Sequence, residues 1–301
     1  MKKALILTIL LAVMLPLLVS GSPASAQEAA PVAQATDAAS LFRAAYEAVN
    51  AGDLDTFVTY FAEDGVSMAL PPPPSVENVV IGRERLRSVH ASLVERNWHV
   101  EFTSFQTQGD VATFTAQVEE DLFRDLNILP MEFSGTVAAQ DGLIRSAVWV
   151  MSKDSLARLE AAIARMESRA LVERLYEKVF NQKNLDVVDE IYASDVTDHD
   201  FGDTDREAVK AGIAGVLVGL PDLEVTTDLW LVDGDLVTTR VTFSGTHQGE
   251  WLDVPPSGNT VTWTHIDIHR IEDGRITDIW HTVPVGDILQ QMGFELVPSA
   301  E

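Results

Sequence analysis

Val261 to His281 reads VTWTHIDIHRIEDGRITDIWH, and in it side chains able to move a proton or stack on a ligand recur at every second position. In an extended strand, Trp263, His265, Asp267 and His269 share one face, while Thr262, Ile266 and Ile268 take the other. Asp273-Gly274 divides the stretch and is a hairpin turn signal. A three-residue loop, Glu272-Asp273-Gly274 with Gly274 left-handed, brings Thr277, Ile279 and His281 to the face of Asp267. A two-residue turn puts His281 opposite, because one residue of slip reverses every side chain. The longer loop is expected, since it gathers Ile266, Ile268, Ile276 and Trp280 into one apolar surface. That surface then needs cover, either from the sheet of the first half of the chain as an internal pseudo-dimer or from a second chain as a homodimer.

Asp267 and His281 on one face make an acid/base dyad, the carboxylate fixing the imidazole tautomer while the ring moves a proton from a carbon acid. In a cavity the low dielectric brings such groups toward neutral pKa values, where proton transfer is most useful. The plainer alternative is a polar ladder at the surface. His265 lines the same cavity, Trp263 is core or ligand platform, and His247 and Trp251, in the loop before the hairpin, form its mouth. His269, near the turn, is read as solvated. His265 and His269 lie four residues apart, roughly 13 Å along a strand, and cannot share one metal ion. No metal and no cofactor are expected. No nucleotide-binding loop or serine-nucleophile elbow is present in the sequence.

The elements that must hold these residues follow from pattern and composition. The chain has 301 residues, 46% hydrophobic and 22% charged, enough for two cores. A formal charge of -25 argues against nucleic acid and anionic membrane surfaces as partners. The absence of cysteine excludes disulfides and thiolate chemistry. Lys2-Lys3, an apolar run over Ala4–Val19 and a small-residue end at Ala24-Ser25-Ala26 match a secretory signal peptide over residues 1–26, so the mature chain is expected to be secreted or periplasmic and free of the membrane after cleavage. Residues 27–36 read as a flexible linker.

Helical spacing begins at Ala38 with Asp37 as N-cap, and further helices are expected over Leu54–Phe61 and Gly82–Val94. Pro71–Pro74 forms a stiff loop. Alternating runs follow at 99–106, 111–119, 131–139 and 144–151. Three helices followed by an antiparallel sheet is an α+β arrangement. The pattern then repeats. Val49-Asn50-Ala51-Gly52-Asp53-Leu54-Asp55 aligns with Phe180-Asn181-Gln182-Lys183-Asn184-Leu185-Asp186 at an offset of 131, and Asp141-Gly142 aligns with Asp273-Gly274 at 132. Asp154–Phe180 lacks Gly and Pro and joins the copies as continuous helix. Domains are expected over 37–160 and 161–298.

The second copy contains, in order, Tyr176–Asn181, Asp198-His199-Asp200, Gly245–Trp251, Val254–Gly258, Asp267 with Arg270–Ile276, Trp280 and Leu289–Gly293. In these pieces it resembles the SnoaL-like polyketide cyclase family of the NTF2-like superfamily. The resemblance implies two tandem cone-shaped domains, each with helices packed on a curved antiparallel sheet. It also implies a cavity in which a carboxylate and an imidazole on adjacent strands perform cofactor-free aldol chemistry. Those roles fall on Asp267 and His281, with the two identities exchanged relative to family cyclases, and Asp198 and His199 come to the cavity wall. The first copy has Gly135 and Trp149 at the corresponding positions and is expected to be non-catalytic. Two functions remain open: acid/base chemistry on an apolar or polyketide-like molecule, such as aldol cyclisation or isomerisation, and non-catalytic binding or carriage of such a molecule.

Overall fold

A computed structural model describes residues 37–72, 77–202 and 205–294. The expected signal peptide and linker, and Pro73 and Pro74 of the proline loop, lie outside the described residues. Two compact units meet at Leu159/Glu160, inside one uninterrupted helix. Among the described residues no helix is long and apolar enough to cross a membrane.

In the first unit, Asp37 caps α1 (Ala38–Asn50) by accepting from the Ser40 amide, and the helix buries Leu41, Phe42, Ala45, Tyr46 and Val49 at helical spacing. After α2 (Leu54–Thr59) come β1 (Phe61–Leu70), β2 (Val79–Ile81) and α3 (Arg83–Val94). The sheet is completed by β3 (His99–Gln108), β4 (Val111–Glu119), the short helix α4 (Asp121–Asp125), β5 (Met131–Gln140) and β6 (Leu143–Met151). Its strand order is β2-β1-β6-β5-β4-β3, antiparallel except where β1 runs parallel to β6.

The second unit repeats this plan. The long helix α5 (Lys153–Arg174) passes into a π-helical turn, Leu175–Asn181. A 3-10 turn (Leu185–Val187), α6 (Val188–Ile191) and β7 (Tyr192–Asp198) precede α7 (Arg206–Gly219), which Asp205 caps. Then come β8 (Glu224–Asp233), β9 (Leu236–Thr246), β10 (Thr260–Glu272), β11 (Arg275–His281) and α8 (Val285–Gln291). The order β7-β11-β10-β9-β8 matches β1-β6-β5-β4-β3 strand for strand, again with one parallel pairing, β7 with β11.

The two copies also share a tie. Asn50 Nδ2 donates to the Val100 carbonyl and its Oδ1 accepts from the Val100 amide; Asn181 makes the same two bonds to Val225. The helices before these asparagines differ by one residue, since Tyr46 and Tyr176 are 130 apart and Asn50 and Asn181 are 131 apart. The π turn takes up the extra residue, so Tyr176 keeps the inward aspect that Tyr46 has, and both are buried.

Several boundaries differ from expectation. The second helix stops at Thr59, and Phe61 opens a strand absent from the sequence reading. A break in register between Phe61 and Val66 hides the alternation there. The last hairpin turns through two residues, not three: Glu272 pairs with Arg275, and Asp273 and Gly274 both have positive φ (50° and 76°). The extra residue enters instead as a bulge in β11, between the Ile271–Ile276 and Arg270–Asp278 pairs. Ile276 therefore points inward and is fully buried, and does not join Ile266, Ile268 and Trp280 on the outer face. Beyond the bulge the register places Ile279 opposite His269 and His281 opposite Asp267.

Candidate active site

Between the inner sheet face of the second unit and its helices lies a cavity of about 430 Å³. Its wall is mostly apolar and aromatic, including Phe180, Phe243, Trp251 and Trp263, and among the described residues no Lys or Arg lines it. Polar groups gather on β10, β11 and the end of β7: Asp198, His265, Asp267, His269 and His281. All but His281 are buried.

Alternation on β10 sends Trp263, His265, Asp267 and His269 inward together. Asp267 Oδ2 accepts from the Tyr176 hydroxyl at 2.7 Å, and the same hydroxyl is 2.7 Å from Thr239 Oγ1 and 3.2 Å from His269 Nε2. Asp267 Oδ1 stands 3.0 Å from His265 Nε2 and 3.7 Å from His281 Nδ1, but has no well-directed hydrogen bond. On the opposite side of the His281 ring, Nε2 lies 3.1 Å from Asp198. The His281 amide donates to Asp200. Asp198 Oδ1 in turn accepts from the amides of Asp200 and Phe201 at 3.0 Å.

These contacts set the charges. Burial works against an Asp267 carboxylate, but His265, His269 and the Tyr176 hydroxyl outweigh it and hold the group below its ordinary value. Burial likewise opposes a charged His281; the Asp198 hydrogen bond, together with the charges of Asp198, Asp267 and Asp200, reverses this and raises its pKa. Asp198, against its own burial, is lowered by His281 and by the Phe201 and Asp200 amides. Burial pushes His269 down to about 4, so it is neutral at pH 7. Burial and the Asp267 charge drive Tyr176 well above its usual value, keeping it a donor.

Asp267, His281, Asp198, Trp251, Trp263 and His265 thus line one cavity. Trp251 packs on Trp263, their rings 5.6 Å apart, and Trp263 stacks on Phe243 at 5.0 Å. Two expected pocket residues lie elsewhere. His199 follows Asp198 and so takes the opposite side, where it bonds Asp278 at 2.8 Å and stacks on Trp280 at 4.6 Å. His247 is fully buried but points into its own loop, bonding Ser257. His269, read as solvated, is buried and part of the polar cluster because β10 extends past it to Glu272. Tyr176 and Thr239 were missed. The polar hydroxyl of Tyr176 within the apolar spacing of Val172, Leu175, Val179 and Phe180 was the available signal.

The corresponding place in the first unit is filled. Gly135 pairs with Trp149 as Asp267 pairs with His281. Phe42, Phe102 and Phe114 crowd Trp149 at centroid distances of 5.5, 5.9 and 4.7 Å. A surface hollow in the first unit is lined by Glu63, Arg83, Glu84 and Arg85 and, among the described residues, by no aromatic side chain or imidazole.

Residues 170–292 match the family model described as SnoaL-like polyketide cyclase, and residues 42–146 match the model described as SnoaL-like domain. Among solved structures, the chain is similar to TsrD from Streptomyces laurentii (27% identity, 43% of this chain and 96% of that one, TM-score 0.41). It is similar to IdmH from Streptomyces antibioticus (31% identity, 42% and 98%, TM-score 0.38) and to a SnoaL-like polyketide cyclase from Agrobacterium tumefaciens str. C58 (18% identity, 42% and 98%, TM-score 0.36). No curated protein matches the chain. With the two family matches falling on the two structural units, the chain belongs to the SnoaL-like proteins of NTF2-like fold, as a tandem whose second domain is of the SnoaL-like polyketide cyclase family.

Proposed function

We propose that the second domain binds a small, largely apolar molecule in the 430 Å³ cavity, and that His281, held by Asp198, transfers a proton to or from it. The observation that carries this reading is the buried polar cluster at one end of an otherwise apolar cavity. A cluster of that kind is costly for stability alone and is common at reactive sites. Asp198 orients the ring and Asp267 adds negative charge beside it, so His281 cycles between imidazole and imidazolium. Proton transfer next to a carbonyl, as in aldol cyclisation or isomerisation, is the matching chemistry, and the family match supports it. The chain is exported on this reading, supported by the N-terminal pattern of Lys2-Lys3, apolar run and Ala24-Ser25-Ala26.

A carrier without turnover is the second reading. It is favoured by the fact that both ring nitrogens of His281 face carboxylates. Untargeted mass spectrometry of small molecules retained by the purified chain, run beside His281→Gln, separates the two. Conversion of the retained compound by the wild type and its loss in His281→Gln supports the enzyme. The same compound held unchanged by both supports the carrier, and a chain that retains no small molecule, natural or from an added library of apolar carbonyl compounds, overturns both.

A further inference from the structure

We infer that the inner face of the last hairpin is a site for one divalent transition ion of the zinc type, held by His265 Nε2, Asp267 Oδ1 and His281 Nδ1. His265 and Asp267 are two apart on β10 and face the same side, and His281 lies directly across from Asp267 on β11. That register brings the three ligand atoms within 4.8 Å of one another. Zinc takes such ligands at about 2.0–2.2 Å, which sets neighbouring ligand atoms roughly 3 Å apart. The Asp267–His265 distance of 3.0 Å already meets this, and the 3.7 Å to His281 closes with a small turn of the ring.

Three further observations point to a cation. Asp267 Oδ1 is buried, its residue only 5% exposed, and among the described residues no donor is aimed along its lone pairs; His265 Nε2, at 3.0 Å, stands off line. Since Nε2 of His281 faces Asp198, a neutral ring that donates there aims its Nδ1 lone pair at Asp267 Oδ1, so two acceptors oppose each other until a proton or a metal ion comes between. Asp198 and Asp267 also place two carboxylates in a wall to which, among the described residues, no Lys or Arg contributes. The surroundings are those of a prepared site. Asp198 sits behind His281 and Tyr176 behind Asp267, as carboxylates and hydroxyls do when they orient metal ligands. Two imidazoles and one carboxylate leave open positions toward the cavity, where a ligand oxygen would coordinate. The spacing that rules out a shared ion between His265 and His269 does not touch this triplet, which reaches across the hairpin. The inference stands apart from proton transfer: an ion on Nδ1 displaces the proton that reading gives to His281, so added zinc suppresses His281-driven turnover.

The test is calorimetric titration of Zn²⁺ into the untagged, chelator-treated full chain, with X-ray absorption at the zinc edge on the loaded protein. One ion per chain with two imidazole ligands is expected. Asp267→Asn and His265→Gln should weaken binding by more than about tenfold. His199→Gln, which removes an imidazole on the opposite side of the strand, bonded to Asp278, should leave it within about twofold. Absence of stoichiometric binding, unchanged affinity in Asp267→Asn, or fewer than two imidazoles at the zinc overturns the site. Where a variant does not fold, the ligand count on the wild type decides.

Discussion

Asp267 and His281 face each other in register across β10 and β11, yet neither makes its shortest polar contact with the other. Asp267 is held by Tyr176 at 2.7 Å and stands 3.0 Å from His265, whereas His281 lies 3.1 Å from Asp198; 3.7 Å separates the pair itself. In place of the expected dyad there is a chain of contacts among five groups, in which the imidazole lies nearer to Asp198 than to Asp267.

Tyr176→Phe tests the anchor of that chain of contacts. The change leaves Asp267 Oδ2 without its donor and removes the shared partner of Thr239 and His269, all in a buried setting. A buried acceptor left unpaired costs about 1–3 kcal/mol, more when it is charged. Denaturant unfolding of the second domain should show a loss of at least that size. A loss near zero would mean that water already reaches Asp267.

How much of this was legible in the sequence depends on how local the cause is. The inward set Trp263, His265, Asp267 and His269 follows from strand alternation alone. The duplication follows from turn residues at fixed spacing. Asp198 as the partner of His281 does not, because β7 and β11 meet as parallel neighbours with Asp198 level with Ile279, a pairing that 80 residues of intervening chain conceal. Nor does the bulge in β11, which restores the register that a two-residue turn would have reversed. A three-residue turn, and a two-residue turn followed by a bulge, put Asp267 and His281 on the same inner face; they differ in where they place Ile276.

Stability of the first domain should fall in mild acid through His90. Burial lowers this ring from 6.5 to about 4, partly offset by its contact with the Leu86 carbonyl. The folded ring stays neutral while the unfolded one takes up a proton below 6.5. The unfolding free energy then drops by about 1.4 kcal/mol per pH unit between those values and levels off below the lower one. Comparing denaturant curves of wild type and His90→Gln between pH 7 and pH 4 isolates the slope, which the variant should lack.

Asn50 and Asn181 make matched pairs of bonds to the backbone of Val100 and Val225. Each substitution to Ala strips an amide and a carbonyl of their partners at a part-buried position, at about 1–3 kcal/mol. Equal losses are expected in the two domains, read as separate shifts in denaturant midpoint. A loss in only one would show that water replaces the side chain in the other.

Gly135→Ala asks how firmly the first domain has closed the place where the second keeps its polar cluster. A methyl at Gly135 would lie 2.0 Å from the Val148 carbonyl oxygen and 2.4 Å from Phe114 Cζ, both far inside contact distance. Phe114 can turn, but the carbonyl belongs to the neighbouring strand and cannot move without opening the β5–β6 ladder. The expected cost is at the upper end of overpacking, about 3 kcal/mol or more. Shrinking the ring as well, in Gly135→Ala with Phe114→Leu, should restore only a minor part, because the carbonyl clash remains. Full restoration would place the obstruction in the aromatic cluster alone, and would mean that this domain could regain a cavity by side-chain changes without any change of backbone.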